Sequence, residues 1–188
     1  DAEARRTMAI RQRPELWAED AVSIGEALPD ALVQEVLSEI RYAPRDAEEL
    51  HDLLVTHGFV LSSELKDMGV ADALFERLAR DRRAARVAIE AGEVCVAAER
   101  AAEFAHAFGI DSWPKNFSPV VSQVAADDAI TELLRSRLEM SGPVAETELR
   151  RLFAHEGRAG SVLTQALLAL EGEGFIVRGP FIAGAGEC

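Results

Sequence analysis

Residues 71–97 read ADALFERLARDRRAARVAIEAGEVCVA. Leu74, Phe75 and Leu78 recur at helical spacing, which predicts a helix over 71–82. Two short apolar runs follow, RVAI at 86–89 and VCVA at 94–97. The Glu90-Ala91-Gly92-Glu93 stretch between them has the composition of a turn, so the pair reads as a β-hairpin. Arg77, Arg80, Arg82, Arg83 and Arg86 straddle the junction of helix and hairpin, with Glu76 and Asp81 as the local acids.

Working outward, residues 30–43 predict a helix with Leu32, Val33, Val36, Leu37 and Ile40 on its inward face, stopped by Pro44. Asp46 caps a second helix, with Glu49 placed to close a capping box and Leu50, Leu53 and Leu54 turned inward. Gly58 ends it, and a short turn or helix covers 62–68. After the hairpin comes a helix at about 99–108 that packs Phe104 and Phe108. Three helices followed by a hairpin is the layout of a winged helix, with the third helix for recognition and the hairpin as the wing.

Residues 110–125, with Trp113-Pro114 and Ser118-Pro119, read as a linker anchored by Trp113 and Phe117. The pattern then repeats, with helices over 127–140, 146–154 and 161–172. A second wing is expected from Phe175-Ile176-Val177 and Phe181-Ile182, turning at Gly179-Pro180. The expected fold is mostly α with small β wings, an α+β chain of two tandem winged-helix-like modules at 29–109 and 126–188. Residues 1–28 hold a helix over 2–12, ended by Pro14, and a connector.

Composition narrows the function. The net charge of −13 excludes a surface that is basic all over, because phosphate contacts need Lys and Arg. It leaves room for a local basic patch. Arginine dominates the basic residues; Lys66 and Lys115 are the only lysines. Aromatics are 6%, so aliphatic cores are expected. Cys95 and Cys188 form no metal-type pair and no disulfide framework. The start at Asp1 and the Gly-Glu-Cys ending lead to the expectation of an excised piece, and the lack of a signal or membrane segment to a cytoplasmic one.

No GxxxxGK[ST] loop is present, so no ATP site is expected in the chain itself. His51 and His57 are six residues apart, off the spacing of helical zinc pairs, and no Cys lies nearby to complete a site, so these two with His106 and His155 are expected to be structural or exposed. Glu48-Glu49, Asp127-Asp128 and Glu146/Glu148 sit at expected helix N-termini, where the helix dipole accounts for them without catalysis. The arginine cluster is the leading site, with phosphate positioning rather than base readout as its chemistry. Arg158 and Arg178 are the corresponding candidates in the second module. From 141 to 188 there are four Arg and six Glu, so that module is the poorer nucleic-acid reader and is expected to scaffold.

Three stretches resemble the large helicase-related (Lhr) family of superfamily-2 DNA helicases. They are EARRTMAIRQ, then PRDAEELHDLLVTHGFV running on to VAIEAGEVCVAAER, then LLRSRLEMSGPVAETEL with LTQALLALEGEGFIVRG. The resemblance implies a parent that hydrolyses ATP with Mg in motor domains of the same chain, translocates 3′ to 5′ on single-stranded DNA, and acts in DNA repair. It places this chain after the helicase core, as a non-motor region with single-stranded or tailed DNA, the motor domains and a possible second copy as partners. It also brings in a glycosylase-like module as an alternative. Two positions depart from the family pattern. Ala145 stands where a capping Thr is usual, and Arg158-Ala159 where a Leu-Pro pair is usual.

Overall fold

The computed structural model describes residues 29–40, 43–154, 161–179 and 181. The expected helix over 2–12, Arg158, His155, Cys188 and the strand partner Ile182 lie outside them. The elements run α1 (Asp30–Ile40), α2 (Ala47–His57), β1 (Val60–Leu61), α3 (Ser62–Asp67), α4 (Asp72–Arg80), β2 (Ala84–Ile89), β3 (Gly92–Ala97) and α5 (Ala98–Phe108). Then come α6 (Ala129–Glu139), α7 (Glu146–Leu152) and α8 (Ser161–Gly172).

The winged-helix layout is present, but its three helices are α2, α3 and α4. The expected first helix, α1, stands outside that set. Leu32 and Val36, expected inward, are each 45% exposed. Leu37 is half-buried and lies against Gly142, where an added Cβ would come within 2.7 Å of it. A stripe at helical spacing states which side of a helix is apolar, not whether the core has room for it. That room is already taken by Leu50, Leu54, Phe75 and Leu78.

Asp46 caps α2 as expected, its Oδ1 accepting from the N–H groups of Glu48 and Glu49, both at 2.9 Å. The capping box does not close in its usual form. The Glu49 carboxylate accepts instead from the N–H of Arg45 at 2.9 Å, drawn there by the Arg45 guanidinium at 2.7 Å. Gly58 has φ +77°, and a Cβ there would also meet Leu133 at 2.7 Å, so glycine is required twice over.

The sheet is antiparallel in the order β1-β3-β2, with Val60 paired to Cys95 and Ala84 to Ala97. Side chains alternate faces along a strand. Cys95 and Ala97 face Leu50, Leu54, Phe75 and Leu78. Val94 and Val96 belong to a second and larger core, with Phe104 and Phe108 of α5. That second core continues through Ile130, Leu133 and Leu134 of α6, Leu149 of α7, and Leu163, Leu167 and Leu170 of α8. Helices therefore cover both faces of β3, and the two halves of the chain share one core.

Phe59 sits at the junction, fully buried. Its ring lies 5.3 Å from Phe104, 5.5 Å from Phe108 and 5.7 Å from Phe153, all edge-on. Trp113 and Phe117 anchor the segment after α5, their rings 5.0 Å apart, and the Val120 N–H reaches the Ala98 carbonyl at 2.8 Å. Aromatic residues are few, but they gather at this junction, so the expectation of purely aliphatic cores is corrected.

Polar groups hold the same seam. Arg100 of α5 donates to Glu103 at 2.7 Å, to Ser136 of α6 at 3.0 Å and to the Val55 carbonyl of α2 at 3.3 Å. Glu103 is buried, and burial pushes its carboxyl above the ordinary range despite the Arg100 charge. Arg137 of α6 pairs with Glu64 of α3.

The second wing does not form over Phe175–Val177, which pair with no strand among the described residues. Phe175 N–H and Ile176 N–H both turn back to the Leu170 carbonyl at 2.9 and 3.4 Å, wrapping the end of α8 instead of extending. Ala145 precedes α7 with no side-chain cap bond, as its methyl side chain requires.

Candidate nucleic-acid interface

Helix α4 stops in a turn that decides where the arginines go. The Arg83 N–H reaches back to the Leu78 carbonyl at 2.9 Å, and the Arg82 N–H to the Ala79 carbonyl at 3.1 Å. These are the two bonds of a Schellman cap, whose penultimate residue is left-handed and usually glycine. Here it is Arg82, at φ +62°, the one non-glycine with positive φ among the described residues. Holding an L-residue there costs about 1–2 kcal/mol. The turn then feeds β2, and the Arg83 carbonyl accepts from the Ala98 N–H at 2.8 Å, closing the root of the hairpin.

The five clustered arginines fall into two sets. Arg77, Arg80 and Arg82 are exposed. None of the three has a carboxylate partner among the described residues, and Arg80 donates only to the Glu76 carbonyl at 3.3 Å. Most other described arginines are paired. Arg83 forks onto Glu48 of α2 with bonds of 2.7 and 2.9 Å. Arg86 lies over the Phe75 ring, 4.3 Å from its centre, and donates to Asp72 at 2.9 Å. Arg86 therefore ties the wing to the start of α4.

The hairpin tip is the opposite of a phosphate grip. It carries Glu90 and Glu93, both exposed. Ala91, with Leu61, Leu149, Leu152 and Arg151, lines a cleft of about 380 Å³ between the tip and α7. Val87 and Ile89 pack against the larger core. The wing is thus pinned and acidic, and the open cations sit at its root.

In the second half, Arg178 lies between Glu146 at 3.6 Å and Glu171 at 3.5 Å, beside an apolar cavity of about 180 Å³. It is not brought into the α4 cluster. His51 is buried and meets Glu99 at 3.1 Å, while His57 bonds the Leu53 carbonyl at 3.0 Å with its pKa lowered by burial. Burial likewise raises the Cys95 thiol pKa. No group of metal-ligating side chains and no helix long and apolar enough to cross a membrane occurs among the described residues.

What the sequence reading missed is the part played by Glu48, whose partner is 35 residues away, and the left-handed turn at Arg82. No sequence signal marks the first. The second lies where a glycine is usual, at the end of a helix.

No curated protein matches the chain. A family model does, described as the winged-helix domain of Large helicase-related protein, and it spans residues 20–123. That span contains α2, α3, α4, the whole sheet and α5, and more than half of the chain, so this protein belongs to the Large helicase-related winged-helix family.

Proposed function

We propose that this chain is a non-motor accessory region of an ATP-dependent 3′–5′ DNA helicase acting in DNA repair, and that it positions a single-stranded or tailed DNA by its phosphates. ATP and Mg belong, in this reading, to motor domains of the same protein. The observation that carries the reading is the trio Arg77, Arg80 and Arg82. In a chain of net charge −13 they stand exposed without carboxylate partners among the described residues, on the recognition helix and the turn after it. An arginine kept in a left-handed position, where glycine fits without strain, adds to it. Backbone phosphate contacts need only such flexible cations; base readout would need the acidic wing or the polar start of α4 to approach a groove.

Anisotropy titration of a labelled single strand against salt is the test. Engagement of three or four arginines gives a log–log slope of about −2 to −3. No binding at low salt rejects the reading. Arg82→Gly is expected to separate the two roles of that residue. It raises stability by about 0.5–1 kcal/mol in thermal melts, as relief of the strain outweighs glycine's entropy cost. It also weakens binding by about fivefold at 0.1 M salt, through loss of one phosphate contact.

A second reading holds for the other half of the chain. Leu168, Phe175 and Val177 are exposed, and Arg178 is neutralised by two glutamates. These features favour a contact surface for another domain or a second copy over a nucleic-acid reader. A mass that rises with concentration in light scattering supports the second-copy version, and a constant monomer mass removes it.

A further inference from the structure

The Arg83–Glu48 pair sits inside the basic cluster, and its geometry is that of a phosphate complex. Nη1 and Nη2 of Arg83 donate in parallel to the two oxygens of Glu48, at 2.7 and 2.9 Å. A guanidinium meets a phosphate with the same two-pronged fork. Glu48 is exposed on the first turn of α2. Its carboxyl is held below the ordinary range by the Arg83 hydrogen bonds first, with Arg77 among the further charges that lower it. One carboxylate therefore lies within the field of two of the cluster's arginines.

We propose that Glu48 is an intramolecular stand-in for a nucleic-acid phosphate, which occupies the Arg83 fork and keeps it blocked until a strand displaces it. The inference rests on the nucleic-acid reading above and adds a built-in brake to it.

The fold does not depend on this pair. The main chain of Arg83 is fixed by its own bonds to Leu78 and Ala98, whichever way the side chain points. Both partners reach water, and exposed pairs of this kind contribute little to stability. Exchange of carboxylate for phosphate is accordingly cheap. Arg86 and Arg100 differ: one is packed over Phe75, and the other is bound to a buried glutamate and a main-chain carbonyl. Of the paired arginines near α4, Arg83 is the exchangeable one.

The test uses the full chain and a fluorescein-labelled oligothymidylate, with affinity read by anisotropy for the unaltered protein, Glu48→Gln and Glu90→Gln. Glu90 is exposed at the hairpin tip, so its variant removes the same charge away from the fork. Glu48→Gln is expected to bind about two- to fivefold more tightly, the weight of one surface ion pair, while Glu90→Gln leaves the affinity unchanged. Glu48→Ala, checked for folding by its melt, gives the same gain. If the unaltered protein binds and neither Glu48 variant binds more tightly, the brake is refuted. An equal gain in Glu90→Gln also refutes it, because the effect is then one of net charge. If neither the unaltered protein nor Glu48→Gln binds, the nucleic-acid reading itself falls, and the brake with it.

Discussion

Phe59→Ala lowers the stability of the whole chain by about 3–5 kcal/mol, the range for truncating a buried phenylalanine. Phe59 precedes β1, yet its ring touches Phe104 and Phe108 of α5 and Phe153 at the end of α7. The Arg137 guanidinium of α6 lies 5.8 Å from the ring centre. The neighbours cannot close in cheaply, because Gly58 already brings the chain against Leu133. The loss is therefore expected near the upper end of the range. Urea unfolding followed by circular dichroism checks it, with a second result expected alongside: one cooperative transition, in both the unaltered protein and the variant. The larger core is built from both halves, so neither half closes it alone, although the first half also holds the smaller core around Leu50, Leu54, Phe75 and Leu78. Two separated transitions would show that the halves fold independently, and a loss below about 1 kcal/mol would show that the Phe59 ring is not a main support of the junction.

Replacing Arg77, Arg80 and Arg82 together by alanine is expected to weaken binding to single-stranded DNA about a hundredfold at 0.1 M salt. The figure follows from the counterion slope of about 0.7 per phosphate contact on single strands, taken over three contacts between 1 M and 0.1 M. The slope itself should flatten by about 2. Stability should hardly fall, since none of the three has a carboxylate partner among the described residues and alanine keeps the backbone strain at position 82 as it is. Arg86→Ala is the informative comparison. Its guanidinium is committed to Phe75 and Asp72, so its loss is expected to reduce stability more than affinity. If Arg86→Ala instead weakened binding as much as the triple variant, the division of the cluster into open and structural arginines would be wrong.

The longer helices of this chain are legible because their apolar residues recur at helical spacing over nine residues or more, as in α4 and α8. The hairpin was legible from two apolar runs around a turn. The two-residue β1 was not, because period-two alternation cannot show in two residues. The second wing was expected from its apolar triplet, and there the local signal misled: Phe175 and Ile176 satisfy their N–H groups on the end of α8.

The candidate site divides in the same way. Sequence alone determined that five arginines would lie at the junction of helix and hairpin, because that placement depends only on chain order and local periodicity. Tertiary structure decided which of them are open. Arg83 is taken by Glu48 from another helix, and Arg86 of β2 by an aromatic face and an aspartate on α4. It also decided that the two halves are one body, through a phenylalanine whose neighbours come from elements as far as Phe153 in the chain. Pairing of a charge and burial of a ring depend on which surfaces meet in space, and that distance is not encoded in spacing along the chain.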